Sequence, residues 1–212
     1  MNTEIKRQQN TPSKDVTLVY DIGNKRYINL TNACTLKCRF CPKHNGSWKV
    51  KGHELELDFN PKAEDIIAQL GDITNIEEVV FCGFGESTLR LDQLKDVATH
   101  IKALGKPTRL NTDGLGNLVH KKNILPELAT CIDALSISLN AHNEAVYTQH
   151  CCPTLANAYQ SLLDFIALAP RYIKDVTVTA IEGLEGVDIA ACETIAKNAG
   201  VKFRKRILDQ VG

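Results

Sequence analysis

The sequence predicts an α/β fold: a β-hairpin followed by about six strand–helix units. Three observations carry this. Short β-branched or apolar runs alternate with helical stripes from residue 60 onward. Glycine or proline punctuates the ends of several of them. Strands joined by helices pair in parallel through right-handed crossovers. Six units are too few for a complete eight-fold barrel. An incomplete barrel and an open doubly wound sheet both fit the pattern, and both place function at the C-terminal ends of the strands.

Val16–Ile22 and Arg26–Leu30 are β-rich runs joined through Gly23 and Asn24, a hairpin signal. Residues 31–59 hold few periodic apolar positions, and a loop of that length in a compact domain is usually functional or mobile. Asn60 and Pro61 read as an N-cap and first helical residue before Ala63, Ile66, Ile67 and Leu70. Glu78–Cys82 is a short strand ending in a glycine loop. Leu91, Leu94, Val97, Ala98, Ile101 and Leu104 form one helical stripe, stopped by Gly105 and Pro107. Thr108–Asn111 is a strand, Val119–Leu128 a weaker helix and Ile132–Leu139 the next strand. Leu155, Ala158, Tyr159, Leu162, Leu163 and Ile166 make another stripe. Val176–Ile181 is β-branched. Asp188 suits an N-cap for a helix closed by Gly200, and Val201–Leu208 is the last strand. Residues 1–15 read as a flexible polar leader, and 16–212 as one domain.

Composition narrows the function. Of 212 residues, 43% are apolar and 24% charged, which suits a globular chain. Lys+Arg and Asp+Glu are both 25, so no global basic field gathers nucleic acid or anionic membrane. The N-terminal MNTEIKRQQNTPSKD lacks the apolar core of a secretion signal, and no apolar run reaches a membrane span. The expectation is a cytoplasmic chain that binds neither nucleic acid nor membrane. Its eight cysteines are then core residues, metal ligands or reactive thiols rather than disulfides.

Cys34, Cys38 and Cys41 decide between these. Their spacing, C-x3-C-x2-C, puts three thiols within eight residues of a polar loop that follows a strand. Three cysteines around a [4Fe–4S] cube leave one iron an open position. A zinc site using the same cysteines with His44 as fourth ligand is the alternative, since thiolate and imidazole suit zinc.

The segment YINLTNACTLKCRFC, residues 27–41, resembles the cysteine motif of the radical S-adenosylmethionine (SAM) superfamily, with Phe40 at its aromatic position. Gly83-Phe84-Gly85-Glu86 is similar to the family's Gly-Gly-Glu motif. Asn111-Thr112-Asp113-Gly114 and Ser136-Ile137-Ser138-Leu139-Asn140 end the next two strands, where that family contacts SAM. FCGFGESTLRL, RLNTDGLGNLV and LSISLNA together look most like the small TatD-associated radical SAM proteins.

The resemblance covers about residues 16–208 and implies an incomplete (β/α)6 barrel, a partial TIM barrel with an N-terminal hairpin. It implies that Cys34, Cys38 and Cys41 ligate three irons of a [4Fe–4S] cluster while SAM chelates the fourth. An electron then cleaves the sulfonium to a 5′-deoxyadenosyl radical, which abstracts a substrate hydrogen. Phe40 would pack on adenine, Gly83 and Gly85 would admit the methionyl group, and Glu86 would meet the SAM amino group. Asn111, Ser138 and Asn140 would reach the ribose or carboxylate, and Thr179 the adenosyl part. The implied partners are a small-molecule or protein substrate and an electron donor such as flavodoxin or ferredoxin. Glycyl-radical-enzyme activation and deazapurine-type chemistry are the reactions considered within the family. A zinc-stabilised binding module and a pure electron carrier are the readings outside it.

Cys82, Cys131 and Cys192 read as buried hydrophobes. Cys151-Cys152-Pro153 precedes a helix and brings two adjacent thiols to a loop; an auxiliary cluster would need four cysteines in two close groups. The terminal KFRKR reads as a solvated strand face.

Overall fold

The computed structural model describes residues 16–208. The expected leader, 1–15, and residues 209–212 lie outside the described residues. The chain opens on the hairpin of β1 (Val19–Ile22) and β2 (Lys25–Ile28). Its two-residue turn needs a positive φ at the first position, and Gly23 supplies it at 63°. A small ribbon follows, β3 (Lys49–Val50) against β4 (His53–Glu54), too short for any periodic signal. Then come α1 (Ala63–Leu70), β5 (Glu78–Phe81), α2 (Leu91–Ala103), β6 (Thr108–Thr112), α3 (Gly116–His120) and α4 (Leu125–Leu128). β7 (Ala134–Ser138), α5 (Glu144–Cys151), α6 (Ala158–Leu168), β8 (Asp175–Glu182), α7 (Ile189–Asn198) and β9 (Lys202–Ile207) complete the order.

Strand order settles the architecture. The large sheet runs β1-β2-β5-β6-β7-β8-β9, antiparallel at the hairpin and parallel in every other pair. A doubly wound sheet reverses its order at a switch point. This one never reverses, so its six parallel strands wind in one direction like a barrel. Among the described residues the barrel does not close: β1 borders only β2, and β9 only β8. The partial TIM barrel expected from the resemblance is the fold observed.

Local chemistry corrects two boundaries and adds one helix. Asn60 is not the N-cap: α1 begins at Ala63, and the Lys62 amide donates to the Asp65 carboxylate at 2.8 Å. Asp65, three residues beyond Lys62, supplies the cap from inside the helix. The helix expected over Val119–Leu128 is two short ones, because Lys121 turns left-handed (φ 53°) and the Asn117 side chain accepts the Ile124 amide at 2.9 Å. Helix α5 has no apolar stripe; its buried residues are Tyr147, His150 and Cys151, so periodicity did not reveal it. Asp188 does cap α7, accepting the Ala191 amide at 3.0 Å.

One face of the sheet packs the helices. Val79, Phe81, Leu110, Leu135, Ile137, Val176 and Val178 are buried against stripes that include Ile66, Leu94, Ile101, Leu162 and Phe165. The other face, concave, is polar. At its N-terminal end the Glu78 carboxylate accepts Lys25 Nζ at 2.9 Å and Arg109 Nε at 3.0 Å. Register then aligns Asn111, Ser136, Thr177 and Lys202 in one layer, and Ser138, Thr179 and Arg204 in the next, nearer the C-terminal mouth. Such a face cannot be a dry core; its polar groups need partners.

Candidate functional site

The cysteine loop leaves the C-terminal end of β2 and crosses the mouth. Cys34, Cys38 and Cys41 are half-buried free thiols. The loop is fixed from three sides. Asn32 holds Leu57 on both polar groups, donating from Nδ2 to its carbonyl at 2.7 Å and accepting its amide at 3.3 Å. Lys43 donates to the Asn32 carbonyl at 3.0 Å and the Phe84 carbonyl at 2.8 Å, tying the cysteine loop to the glycine loop. On the third side, Lys37 N donates to Cys151 O at 3.1 Å, Arg39 N to His150 O at 2.9 Å and Thr154 N to Thr35 O at 3.0 Å. An antiparallel bridge joins Leu36 to Pro153. The Cys151-Cys152-Pro153 segment is therefore the strap that clamps the cysteine loop.

Gly83 and Gly85 approach protein rather than open space. A Cβ on Gly83 would clash with the buried Asn29 Oδ1. One on Gly85 would clash with the Thr31 carbonyl oxygen and stand 2.6 Å from that of Ala33. Gly83 thus makes room for the Asn29 side chain, and Gly85 lets the glycine loop touch the cysteine loop backbone to backbone. The Glu86 amide seals the contact, donating to Ala33 O at 2.8 Å.

Glu86 is buried, and its carboxylate is taken up by the protein. Oε1 accepts Thr88 N at 3.0 Å, Thr88 Oγ1 at 2.7 Å and Thr112 Oγ1 at 2.9 Å; Oε2 accepts Asp113 N at 2.7 Å. That occupation gives Glu86 a bracing role between the glycine loop and the end of β6. Asp113 is the acid that sequence reasoning passed over, although it stands in the quoted NTDG. It accepts the Thr35 hydroxyl and, at 2.9 Å, the Leu115 amide, so it joins the cysteine loop to β6. Burial first, then the neighbouring Glu86 charge, hold its pKa well above the ordinary 3.8.

The sign of the consequence is fixed. The folded chain keeps the Asp113 proton to a higher pH than the unfolded chain. The resulting stabilisation is complete below about 3.8 and is lost as pH rises through the raised value. Asp113→Asn carries no such proton. Its melting temperature is expected to fall less between acid and alkaline pH than that of the parent, and parallel curves would contradict this.

Ser138 ends β7 at the mouth, Asn140 follows it, and Asn111 lies one layer below. Asn111 projects from the concave side of β6; its Oδ1 is buried without a partner among the described residues, and its side chain meets the Cys82 thiol. Ser138 is half-buried at the end of β7. Asn140 is buried in left-handed backbone (φ 59°), accepts Arg206 Nη2 at 2.8 Å and has its Nδ2 4.0 Å from Cys151 Sγ. Phe40 is half-buried and packs on the main core, as a loop anchor would. Thr179 is buried at 1% exposure, and its carbonyl accepts the Leu139 amide at 2.9 Å.

Arg206 corrects the reading of KFRKR. Strand alternation places Lys202, Arg204 and Arg206 on the concave side, while Phe203 packs on the core. Arg206 reaches Asn140 at the mouth, and its Nε is buried without a partner among the described residues. The period-two pattern was the available signal, hidden because both faces of the segment carry cations. Cys131 and Cys192 are buried as expected, whereas Cys82 lies half-buried beside Asn111.

The electrostatics of the cysteines fit a ligand role better than a nucleophilic one. Burial, aided by Asp113, pushes Cys34 up to about 12. Contact with Cys151, then burial, raises Cys38, and burial raises Cys41. Without a cation these thiols are protonated, and metal binding must displace their protons. Among the described residues, no three His, Cys, Asp or Glu side chains converge to hold a single metal ion, and His44 is exposed. Asn111 Oδ1 and Arg206 Nε, without partners among the described residues, suit a polar ligand carrying both donors and acceptors. Among the described residues no helix is long and apolar enough to cross a membrane.

Comparison with known proteins agrees with this geometry. The sequence model of the radical SAM superfamily matches residues 28–199. Among solved structures, the chain is similar to TYW1 with a lysine–pyruvate adduct bound, at 15% identity and a TM-score of 0.61, over 89% of this chain and 66% of that one. It is similar to a radical SAM methyltransferase from Sphaerobacter thermophilus at 13% identity and 0.58, over 89% and 68%. The corresponding values for Streptococcus suis SuiB bound to its precursor peptide SuiA are 17% and 0.65, over 86% and 39%. The chain thus spans about two thirds or less of the length of these proteins. At such identities the likeness is one of fold. No curated protein matches the sequence. None of these comparisons singles out the TatD-associated subgroup.

Proposed function

We propose, from the premise that this chain belongs to the radical SAM superfamily, that Cys34, Cys38 and Cys41 hold a [4Fe–4S] cluster in a radical SAM enzyme. The observation that carries the reading is the three-sided clamping of a three-cysteine loop over a concave face with unpartnered polar atoms. When bound and reduced, the cluster supplies the electron that cleaves SAM to a 5′-deoxyadenosyl radical.

The protein's own residues position and shield. Thr35, Glu86, Asp113 and Lys43 fix the cysteine loop on the glycine loop and on β6. Asn111, Ser138 and Asn140 offer hydrogen bonds to SAM across the mouth. Gly83 and Gly85 keep the loops close, and Phe40 anchors the segment between two ligands. Residues 16–212 act as one domain. Among the described residues β1 and β9 do not pair; read as a lateral opening for a bulky substrate, this favours hydrogen abstraction from a protein or peptide over a small-molecule rearrangement.

The test is anaerobic purification with assay of iron, sulfide and zinc, then addition of reductant and SAM. About four irons per chain and formation of 5′-deoxyadenosine are expected. Stoichiometric zinc with intact SAM would reverse the reading. Deuterated cell extract, divided into protein and small-molecule fractions, tests the substrate class: deuterium should enter 5′-deoxyadenosine from the protein fraction. Transfer only from the small molecules would contradict a macromolecular substrate.

A further inference from the structure

Two cations of β9 have no counter-charge among the described residues. Strand register puts Lys202, Arg204 and Arg206 on the concave side, beside Thr177, Thr179 and Ile181 of β8. Other cations of that side are answered. Glu78 takes Lys25 at 2.9 Å and Arg109 at 3.0 Å, and Asp175 takes Lys202 at 2.9 Å. On the opposite face of the strand, Lys205 meets Glu182 at 2.8 Å. Among the described residues, no carboxylate pairs with Arg204 or Arg206.

Arg206 is the more constrained of the two. Its Nη2 donates to the Asn140 amide oxygen at 2.8 Å, and its Nε is buried without a partner among the described residues. A guanidinium stays charged at any ordinary pH. Withdrawn from water beside a neutral amide oxygen, it lacks the opposite charge that offsets desolvation. Its planar donors match a carboxylate two bonds at a time. Position adds to this. Arg206 stands at the mouth with Asn140, and Arg204 lies one layer below, level with Ser138 and Thr179. Strand β9 also borders the edge that no described strand pairs. A segment entering past that edge meets these arginines.

We propose that Arg204 and Arg206 are specificity-determining residues that take a carboxylate of the substrate. The inference rests on the radical SAM reading above and narrows its substrate to an acidic peptide segment. On a peptide the native anions are carboxylates, carried by an Asp or Glu side chain or by the C-terminus.

The experiment is fluorescence anisotropy on the reconstituted chain, with iron assayed on the same sample. The probes carry a neutral label: tetraglutamate with both ends blocked, tetraglutamine blocked likewise, and tetraglutamine with a free C-terminal carboxylate. One of the two carboxylate probes is expected to bind about tenfold or more tightly than blocked tetraglutamine, and which one does so identifies the source of the carboxylate. Arg204→Gln and Arg206→Gln should each weaken that probe by about tenfold. Lys205→Gln, on the other face of the strand, should change it by less than about twofold. Saturating SAM should leave the binding in place.

Equal binding of all three probes would overturn the proposal while leaving the cluster reading intact. So would a loss in Lys205→Gln as large as in the arginine variants, which would mark general attraction to cations. Displacement of the probe by SAM would also overturn it, since the arginines would then serve the SAM carboxylate. If Arg206→Gln does not fold, Arg204→Gln decides, because Arg204 is exposed; unchanged affinity there overturns the proposal. A chain that binds the acidic probe but retains no cluster overturns the reading on which the proposal rests.

Discussion

Replacing Cys38 with alanine is expected to leave a folded chain that retains little or no iron and forms no 5′-deoxyadenosine. Cys38 is the central thiol of the three and sits deepest against the strap. Two remaining thiolates cannot hold a cube that already has one corner without a protein ligand. The fold should survive, because the loop is pinned by backbone bonds from Lys37, Arg39 and Thr154 and by the Asn32, Thr35 and Lys43 side chains, none of which needs the Cys38 sulfur. Circular dichroism and melting should be close to the parent's, while iron falls by an order of magnitude or more. Normal iron in a folded Cys38→Ala chain would remove Cys38 from the ligand set. A chain that fails to fold would show that the thiol is structural.

The second large effect is expected from Gly85→Ala. The added methyl has no free direction, since it meets the Thr31 and Ala33 carbonyl oxygens, and neither is the end of a flexible side chain. The backbone must shift. Overpacking of this kind costs about 1–3 kcal/mol, and here the displaced segment carries Cys34. Lower melting temperature and weaker iron retention should therefore appear together. Ala33→Gly, which changes a neighbouring exposed residue without adding volume, should not separate the two loops. A Gly85→Ala chain with unchanged stability and full iron would contradict the close loop contact.

Much of this was legible in the sequence because it rests on local signals. Alternating apolar periods marked the six parallel strands and the longer helices, and Asp188 marked its helix start. The cysteine spacing marked the site. What was hidden depends on contacts between residues far apart in the chain. The clamp between Thr35 and Thr154 and the link from Lys43 to Phe84 have no local pattern. The bonds that Glu86 accepts from Thr112 and Asp113, distant in sequence, likewise have no local pattern. Arg206 lay in a run of cations whose alternation matters only once β9 pairs with β8. Helix α5 escaped because its buried residues, Tyr147, His150 and Cys151, make no apolar stripe, and the His150 ring is satisfied by the distant Glu185 carbonyl at 2.7 Å.

The central claim is that the three cysteines leave one iron open to SAM. Electron–nuclear double resonance on the reduced protein, with SAM labelled at its amino nitrogen and carboxylate oxygens, tests this most directly. Strong coupling of the labelled nuclei to the cluster is expected, and it should vanish when labelled S-adenosyl nucleotide is omitted. A cluster that shows no coupling under saturating SAM, with every iron already bound by protein, would contradict the account.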